Sequence, residues 1–356
     1  MLQSRPQTLG RGEERGGTKT WHVIMKNAKY LTAFLCVLTL FCGCKSKEEP
    51  QENGIYYWRT TFSLNDYERS FLQKHNIKRL YLRLFDVGFN PQQPNEPQPI
   101  ATLRFRDTIP QYMDVIPVIF IDNEAFKKFD MQPYADKICT RILKMCKENG
   151  ITNIHAVQID CDWTKTTQNQ YFTFLQKIKT RLRNSNLKLY ATIRLHQLNE
   201  TPPDVDKGLL MCYNTGALLN EKTSNSILAA SDVAPYCKAL NKYKLRLDVA
   251  YPAFSWSAVF RNGKFVCLLR GFDTDNQNVK LEKGNLYSVT QSFVTQGRDL
   301  IRGDKIRMEE ADYKQIMKSK EMMKKRIRNC SIAIFALDSA NLVKFNDNEI
   351  KEIYNH

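Results

Sequence analysis

The strongest constraint on the fold is a regular alternation of two kinds of segment from Gly54 onward. Short segments rich in β-branched and aromatic residues alternate with longer amphipathic segments of helical period. This pattern is typical of parallel strands joined by crossover helices. Eight segments have the strand pattern: 55–62, 77–87, 114–122, 153–163, 188–198, 208–216, 245–254 and 329–339. The alternation therefore predicts an α/β protein with a (β/α)8 TIM-type barrel.

The predicted barrel has two interruptions. Asn262-Gly263 lies between two strand-like runs, SWSAVF and KFVCLL, and an Asn-Gly pair in this setting is a strong hairpin signal. We expect a β-hairpin insertion before the last strand, continuing to about Lys305, beside the mouth of the barrel. Residues 90–111 are rich in proline and predict a long irregular insertion.

The N-terminal region has the pattern of an export signal. Residues 1–24 show no apolar periodicity, and we expect them to form no folded domain. Residues 25–43 combine a short basic stretch with 11 apolar residues, which is too short to span a bilayer, and Gly43 precedes Cys44. This predicts a lipoprotein signal with lipid on Cys44, an ordinary cleaved signal being the alternative. We expect a membrane-anchored protein, periplasmic or at the cell surface, with a tether at 44–53 and one barrel domain at 54–356.

The formal charge of +16 does not predict nucleic-acid binding. Six basic residues precede Cys44, and a secreted protein does not meet cytoplasmic nucleic acid. The densest basic run, residues 318–328, has apolar residues at near-helical spacing. We expect a solvated helix face there, and weak attraction to anionic lipid headgroups or acidic glycans is the alternative.

The cysteines do not indicate a metal site. Seven cysteines follow Cys44, widely scattered and without a CxxC or Cys/His pairing. This argues against zinc and against a disulfide framework, and we expect most of them to be small core residues. No metal or cofactor is indicated, and we expect a monomer.

The fourth strand carries the candidate site. Along QIDCDWT (158–164) side chains alternate, so Asp160, Asp162 and Thr164 share one face while Cys161 and Trp163 take the other. Ionised groups persist inside a barrel only when they are paired, hydrogen-bonded or wet. The two aspartates therefore indicate either a functional site or an internal ion-pair cluster.

Other strand ends add polar and aromatic side chains, because the C-terminal ends of all strands meet at the mouth of a barrel. The fifth strand places Thr192, Arg194 and His196 on one face. An inward Arg194 would compensate the charge of the two aspartates. The remaining candidates at strand ends are Trp58, Tyr213, Asn214, Asp248, Tyr251 and Trp256.

Two of these strand ends resemble a known family. QIDCDWT is similar to the strand-four motif of glycoside hydrolase family 18, the chitinase-type barrels, in which two aspartates and then a glutamate alternate along the strand. LLMCYN (209–214) is similar to the strand-six Met-x-Tyr-Asp/Asn of the same barrels, and the last strand ends comparably. Over nearly its whole mature length the chain also resembles a group of bacterial lipoproteins. The resemblance implies a barrel that acts on a glycan.

One residue departs from the family pattern. The glutamate that is the family's general acid falls on Thr164, whose hydroxyl cannot deliver a proton to a glycosidic oxygen at neutral pH. The resemblance implies that Asp162 orients a substrate N-acetyl group, that Tyr213 hydrogen-bonds it, and that Asp160 is their buried electrostatic partner. An acid would then come from another strand, the candidates being Asp248, Glu124, Asp122 and His196.

Two functions stay open on these residues. The first is a glycosidase with two carboxylates from different strands, Asp162 and Asp248. The second is a non-catalytic glycan-binding lipoprotein that has lost the acid. In either case the partner is a glycan or oligosaccharide, and the expected substrate-binding residues are Trp58, Arg194, His196, Asn214, Tyr251 and Trp256.

Overall fold

A computed structural model describes residues 51–90 and 93–355 of the chain. Eight parallel strands close into a barrel, because β1 is hydrogen-bonded both to the second strand and to the last. The predicted (β/α)8 class is confirmed. The barrel strands are β1 (Gly54–Tyr57), β2 (Arg79–Asn90), β3 (Asp114–Ile121), β4 (Ala156–Asp160), β5 (Lys188–Arg194), β6 (Lys207–Met211), β7 (Leu247–Pro252) and β8 (Ile332–Phe335).

Helices follow most of the strands and cover the outside of the barrel. Asn65 begins the first of them with a capping box, in which its side chain accepts from the Glu68 N–H and Glu68 accepts from the Asn65 N–H. The α-helices are α1 (Asp66–Lys74), α2 (Asn123–Lys128), α3 (Tyr134–Glu148), α4 (Gln168–Arg183), α5 (Ala230–Val233), α6 (Tyr313–Lys324), α7 (Ser339–Leu342) and α8 (Asp347–Tyr354). Two 3₁₀ helices span Leu195–Asn199 and Ala234–Asn241.

Strand alternation divides the core into two layers. Outward side chains of the strands, including Ile159, Cys161 and Cys212, pack against the helices in the larger cluster. Inward side chains such as Tyr56 and Tyr190 fill the lumen in a separate cluster. Trp163 is fully buried in the helix-facing layer, as its position in the alternation predicts. Each large apolar side chain buried in this way contributes about 1.5–3 kcal/mol to folding.

The insertion before β8 is larger than a hairpin. The predicted hairpin is present as strands Ser255–Arg261 and Lys264–Leu269, and its turn residues Asn262 and Gly263 both have positive φ, as a two-residue primed turn requires. The first of these strands also pairs with Lys305–Glu310. A five-stranded antiparallel sheet results, completed by Leu286–Val289 and Val279–Lys283, and a small hairpin of Phe293–Thr295 with Arg298–Leu300 lies in the same insertion.

The prediction of an irregular segment at residues 90–111 is wrong in part. Residues Gln93–Ile100 form a strand antiparallel to the end of β2, with Val87 opposite Pro99 and Gly88 opposite Gln98. Among the strands of residues 51–90 and 93–355, β2 is the partner of this strand, and its other edge is open. Proline is tolerated in such an edge strand because its missing N–H removes no ladder bond on the open side.

The expectations for residues 1–24, for the signal at 25–43 and for Cys44 fall outside the described residues. None of the helices in residues 51–90 and 93–355 combines the length and apolarity needed to cross a bilayer.

Candidate functional site

A cleft of about 620 Å³ opens at the C-terminal ends of the barrel strands. Its floor includes the end of β4, and the segments after β7 and β8 form one side. Arg270 and Gly271, which follow the second strand of the inserted sheet, reach its rim. The cleft therefore lies where (β/α)8 barrels carry their functional sites, with the insertion contributing to its wall.

Asp160 ends β4 and lies on the cleft floor. Its residue surface is only 2% exposed. Thr192 donates its hydroxyl to Asp160 Oδ1 at 2.6 Å, and Arg194 Nη2 lies 3.2 Å from the same oxygen. Burial raises the pKa of Asp160 above its ordinary value, against the opposing effect of Arg194. On β4 the inward face carries Asp160, and on β5 it carries Thr192 and Arg194. Strand alternation thus brings these three side chains together inside the barrel.

Asp162 lies beyond the strand end and is open to solvent, with its side chain 55% exposed. Its carboxylate accepts a hydrogen bond from Nε of Arg194, so one guanidinium bridges both aspartates. Asp162 and His196 line a smaller pocket of about 280 Å³ beside the main cleft, together with Tyr213 and Asn214. Burial lowers the pKa of His196, which follows β5 in the first turn of a 3₁₀ helix.

The other carboxylates that line the main cleft are held by neighbouring groups. Asp86 accepts from Arg83 Nε at 2.6 Å and from a second guanidinium nitrogen. Asp338 caps α7, accepting from the Ala340 N–H at 3.1 Å and from Asn341 Nδ2 at 2.9 Å. Among the described residues, the carboxylates lining this cleft are Asp86, Asp160 and Asp338, and no glutamate is among them.

Thr164, which the sequence resemblance aligns with the glutamate of glycoside hydrolase family 18, is exposed and lies in a local turn. Its N–H donates to Thr167 Oγ1 at 3.0 Å, and its hydroxyl bonds Thr166 Oγ1 at 2.9 Å. Thr167 in turn donates to Asn123 Oδ1 at 2.7 Å. The segment after β4 is therefore fixed by threonine hydroxyls.

The structure does not place Asp248 in the cleft. Asp248 is the second residue of β7, at the N-terminal end of the barrel, and is only 2% exposed. It pairs with Lys207 at 3.2 Å and accepts from the Ser331 N–H at 2.9 Å. It is a buried ion-pair residue at the far end of the barrel, so it cannot act with Asp162 on one substrate.

Three further candidates lie outside the cleft. Tyr251 faces outward from β7 and packs in the helix-facing layer, because it stands an odd number of residues from the inward Asp248. Asp122 caps α2 by accepting from the Glu124 N–H at 3.0 Å. Glu124 is bound to Lys127 at 2.6 Å. The sequence suggested these as a platform and two acids, and the structure assigns them packing, capping and a surface ion pair.

Aromatic rings line the upper walls of the cleft. Trp58 lies 5.4 Å from Phe335, centroid to centroid, with the Arg83 guanidinium 5.2 Å from its ring. Trp256 lies 5.1 Å from Phe254 and donates its Nε1–H to the buried Glu309 at 2.7 Å. The sequence analysis identified both tryptophans and missed Phe254 and Phe335. Their positions at the ends of β7 and β8 could have indicated that they line the cleft.

Tyr213 and Asn214 follow β6 and face both pockets. Tyr213 is 6% exposed, and its hydroxyl donates to Met211 Sδ at 3.0 Å. Burial raises its pKa well above its usual range, so the phenol stays protonated, and a ligand oxygen that accepts from it would replace the weaker sulfur acceptor. Asn214 has φ 54°, a left-handed conformation that asparagine tolerates better than most residues. Within residues 51–90 and 93–355, no group of three or more His, Cys, Asp or Glu side chains is arranged to hold a metal ion.

Two solved structures resemble this barrel. The spore cortex-lytic enzyme SleL of Bacillus cereus shares 13% identity, with 87% of this chain and 76% of SleL covered at a TM-score of 0.50. A chitinase from Chromobacterium violaceum shares 10% identity, with 85% and 98% covered at the same TM-score. The (β/α)8 fold is therefore similar to that of these two enzymes. At these identities the likeness concerns the fold alone. No protein-family model and no curated protein matches the chain.

Proposed function

We propose that this barrel binds an oligosaccharide in its cleft and does not hydrolyse it. The observation that carries the proposal is the state of the carboxylates. Asp86, Asp160 and Asp338 each accept hydrogen bonds from fixed protein groups, and the position of the family's acid holds Thr164. Among the described residues that line the cleft, each carboxylate is already hydrogen-bonded to a protein donor, so none is free to serve as the proton donor that glycosidic cleavage needs.

The binding half of the proposal rests on the lining of the cleft. Its volume of about 620 Å³ is in the range of small-molecule sites. Trp58 and Trp256 offer flat apolar rings, and both are held by neighbours, so little side-chain entropy is lost on binding. Tyr213, Asn214 and Arg270 add donors that suit sugar hydroxyl or amide oxygens.

The non-catalytic half rests on proton transfer. A glycosidase needs one carboxyl that is protonated and within about 2.6–3.2 Å of the leaving oxygen. Asp162, the exposed aspartate that follows β4, already accepts a hydrogen bond from the Arg194 guanidinium, and its side chain is 55% exposed. Its remaining lone pairs are open to donors of a ligand, whereas the guanidinium occupies the oxygen on the Arg194 side.

Hydrolysis with Asp160 as the acid is the second candidate, and one observation favours it. Burial raises the pKa of Asp160, as a general acid requires. Against it, both polar partners of Asp160 are donors, Thr192 and Arg194, so the surroundings solvate the ionised carboxylate. Its 2% exposure also leaves little room for a leaving oxygen to approach.

The test uses chito-oligosaccharides, which the chitinase fold makes the first ligands to try. We expect saturable binding by calorimetry and no shorter products by mass spectrometry after prolonged incubation. Thr164→Glu returns the family's acid and is expected to produce cleavage if Asp162 lies against the bound sugar; Thr166→Glu, two residues further on, is the matched control. Product formation by the unaltered protein would contradict the proposal and support Asp160 as an acid.

We propose further that the protein is a lipoprotein held in a membrane through Cys44, at the periplasmic face or the cell surface, and that it works as a monomer. The support is the order of the basic stretch, the 11 apolar residues and the Gly43-Cys44 junction. Cys44→Ser is expected to move the protein from the membrane fraction to the soluble fraction. Fractionation checks it, with Cys42→Ser as the control, and unchanged membrane association of the Cys44 variant would be the contrary result.

A further inference from the structure

A patch of basic residues lies at the end of the barrel opposite to the cleft. We define the basic patch as the lysines and arginines of residues 242–246 (KYKLR) and 324–328 (KKRIR), all of which are exposed. These segments precede β7 and β8, which are neighbouring parallel strands with Val249 opposite Ile332. Arg246 donates to the Asn329 carbonyl at 3.3 Å, which joins the two segments. Two separate stretches of sequence thus form one surface.

The charge of the basic patch is not neutralised by neighbouring side chains. Neither segment contains an aspartate or a glutamate. Among the described residues, no carboxylate lies within 4.0 Å of a charged nitrogen of the patch. Arg326 donates to the Met322 carbonyl at 2.7 Å, and this bond leaves its charge in place. The exposed Glu321 lies one helical turn before the second segment, and the seven cations of the patch outnumber it, so the surface carries a net positive charge.

The chain enters the barrel at the same surface. Gln51 lines a groove of about 230 Å³ together with Lys324 and Arg328 of the patch, over an apolar floor that includes Met323 and Ile332. Cys44 is seven residues before Gln51. Since an extended chain covers at most ~3.3–3.6 Å per residue, chain length sets an upper limit of ~25 Å on the distance between Cys44 and Gln51.

We propose that the basic patch docks onto an anionic phospholipid surface and holds the barrel with its cleft facing away from the membrane. Each lysine or arginine near an anionic bilayer adds to the attraction. The cleft lies at the opposite ends of the same strands, so docking leaves it open to a glycan from outside. The orientation rests on the proposed lipidation of Cys44, whereas the affinity of the patch for lipid does not.

The test uses the chain from residue 44 onward with Cys44→Ser, so that neither an acyl group nor the apolar stretch at 31–41 contributes to binding. Flotation with vesicles of phosphatidylglycerol and phosphatidylethanolamine is expected to recover the protein, and vesicles of phosphatidylcholine alone are not. Salt at about 1 M shortens the Debye length to about 3 Å and is expected to release it. Equal recovery on neutral vesicles, or on none, would overturn the proposal.

A charge-matched pair of variants separates the patch from overall charge. Lys242→Gln, Lys244→Gln, Lys324→Gln and Arg328→Gln together are expected to weaken partitioning by at least ~100-fold. Lys222→Gln, Lys264→Gln, Lys280→Gln and Lys283→Gln remove the same charge from exposed sites elsewhere and are expected to change it by less than ~3-fold. Equal losses in the two variants would contradict the proposal, as would tight binding to a DNA duplex without binding to anionic vesicles.

Discussion

Arg194→Met is expected to lower the free energy of unfolding by about 3–5 kcal/mol, because it leaves Asp160 buried without a cation. The Asp160→Asn/Arg194→Met double variant is expected to recover most of that loss, because the asparagine amide is neutral and leaves no uncompensated charge in the barrel. Arg69→Met is the matched control. It breaks an ion pair of similar length, 2.8 Å to Asp107, between two partly exposed side chains, and is expected to cost at most about 1 kcal/mol. Denaturant unfolding of the three variants measures all of these differences.

The cost of Arg194→Met is also expected to depend on pH. Burial raises the folded pKa of Asp160 above its ordinary value of 3.8, so the folded state binds more protons than the unfolded state in the window between the two values. The contribution of Asp160 to the free energy of unfolding of the unaltered protein therefore falls as pH rises through that window. Without Arg194 the pKa rises further, and the penalty is largest near neutral pH and smallest below about 3.8. A cost that is equal at acid and neutral pH would mean that Asp160 is not the group left uncompensated.

Trp58→Ala is expected to weaken oligosaccharide binding by about 10- to 100-fold, because a partly buried tryptophan that packs against a ligand contributes on the order of 1.4–2.8 kcal/mol to binding. Calorimetry with the same ligand measures it. Tyr112→Ala is the matched control, an exposed aromatic that does not line the cleft, and is expected to leave affinity unchanged. Thermal unfolding of both variants shows whether the loss comes from the site or from the fold. Unchanged affinity in Trp58→Ala would place the ligand elsewhere.

The barrel could be predicted from sequence because its signals are local. Alternating segments gave the strand count, and period-two alternation within β4 and β5 predicted that Asp160 and Arg194 face the same interior. The same alternation predicted that Trp163 packs beneath the helices. The direction of a side chain depends on its position within its own strand, so it can be predicted without knowing which strands are neighbours.

The prediction for Asp248 was wrong because it depended on the height of this residue along the barrel axis. The sequence predicted Asp248 at the C-terminal end of the seventh strand, but β7 begins at Leu247, so the carboxylate lies at the opposite end of the barrel. Strand register against β6 and β8 sets that height, and no local pattern encodes it.

The strand Gln93–Ile100 was missed because its prolines disfavour strand locally, while edge pairing with β2 accommodates them. In the insertion only the Asn262-Gly263 turn carried a strong local signal.

The most direct test of the central claim is a structure of the protein soaked or co-crystallised with a chito-oligosaccharide. The account predicts an intact sugar chain across the cleft, against Trp58 and Trp256, with Asp162 and Tyr213 within hydrogen-bond distance of it. A cleaved sugar in the cleft would contradict the claim that hydrolysis is absent. An intact sugar bound elsewhere on the barrel, with the cleft unoccupied, would contradict the claim that the cleft is the glycan site.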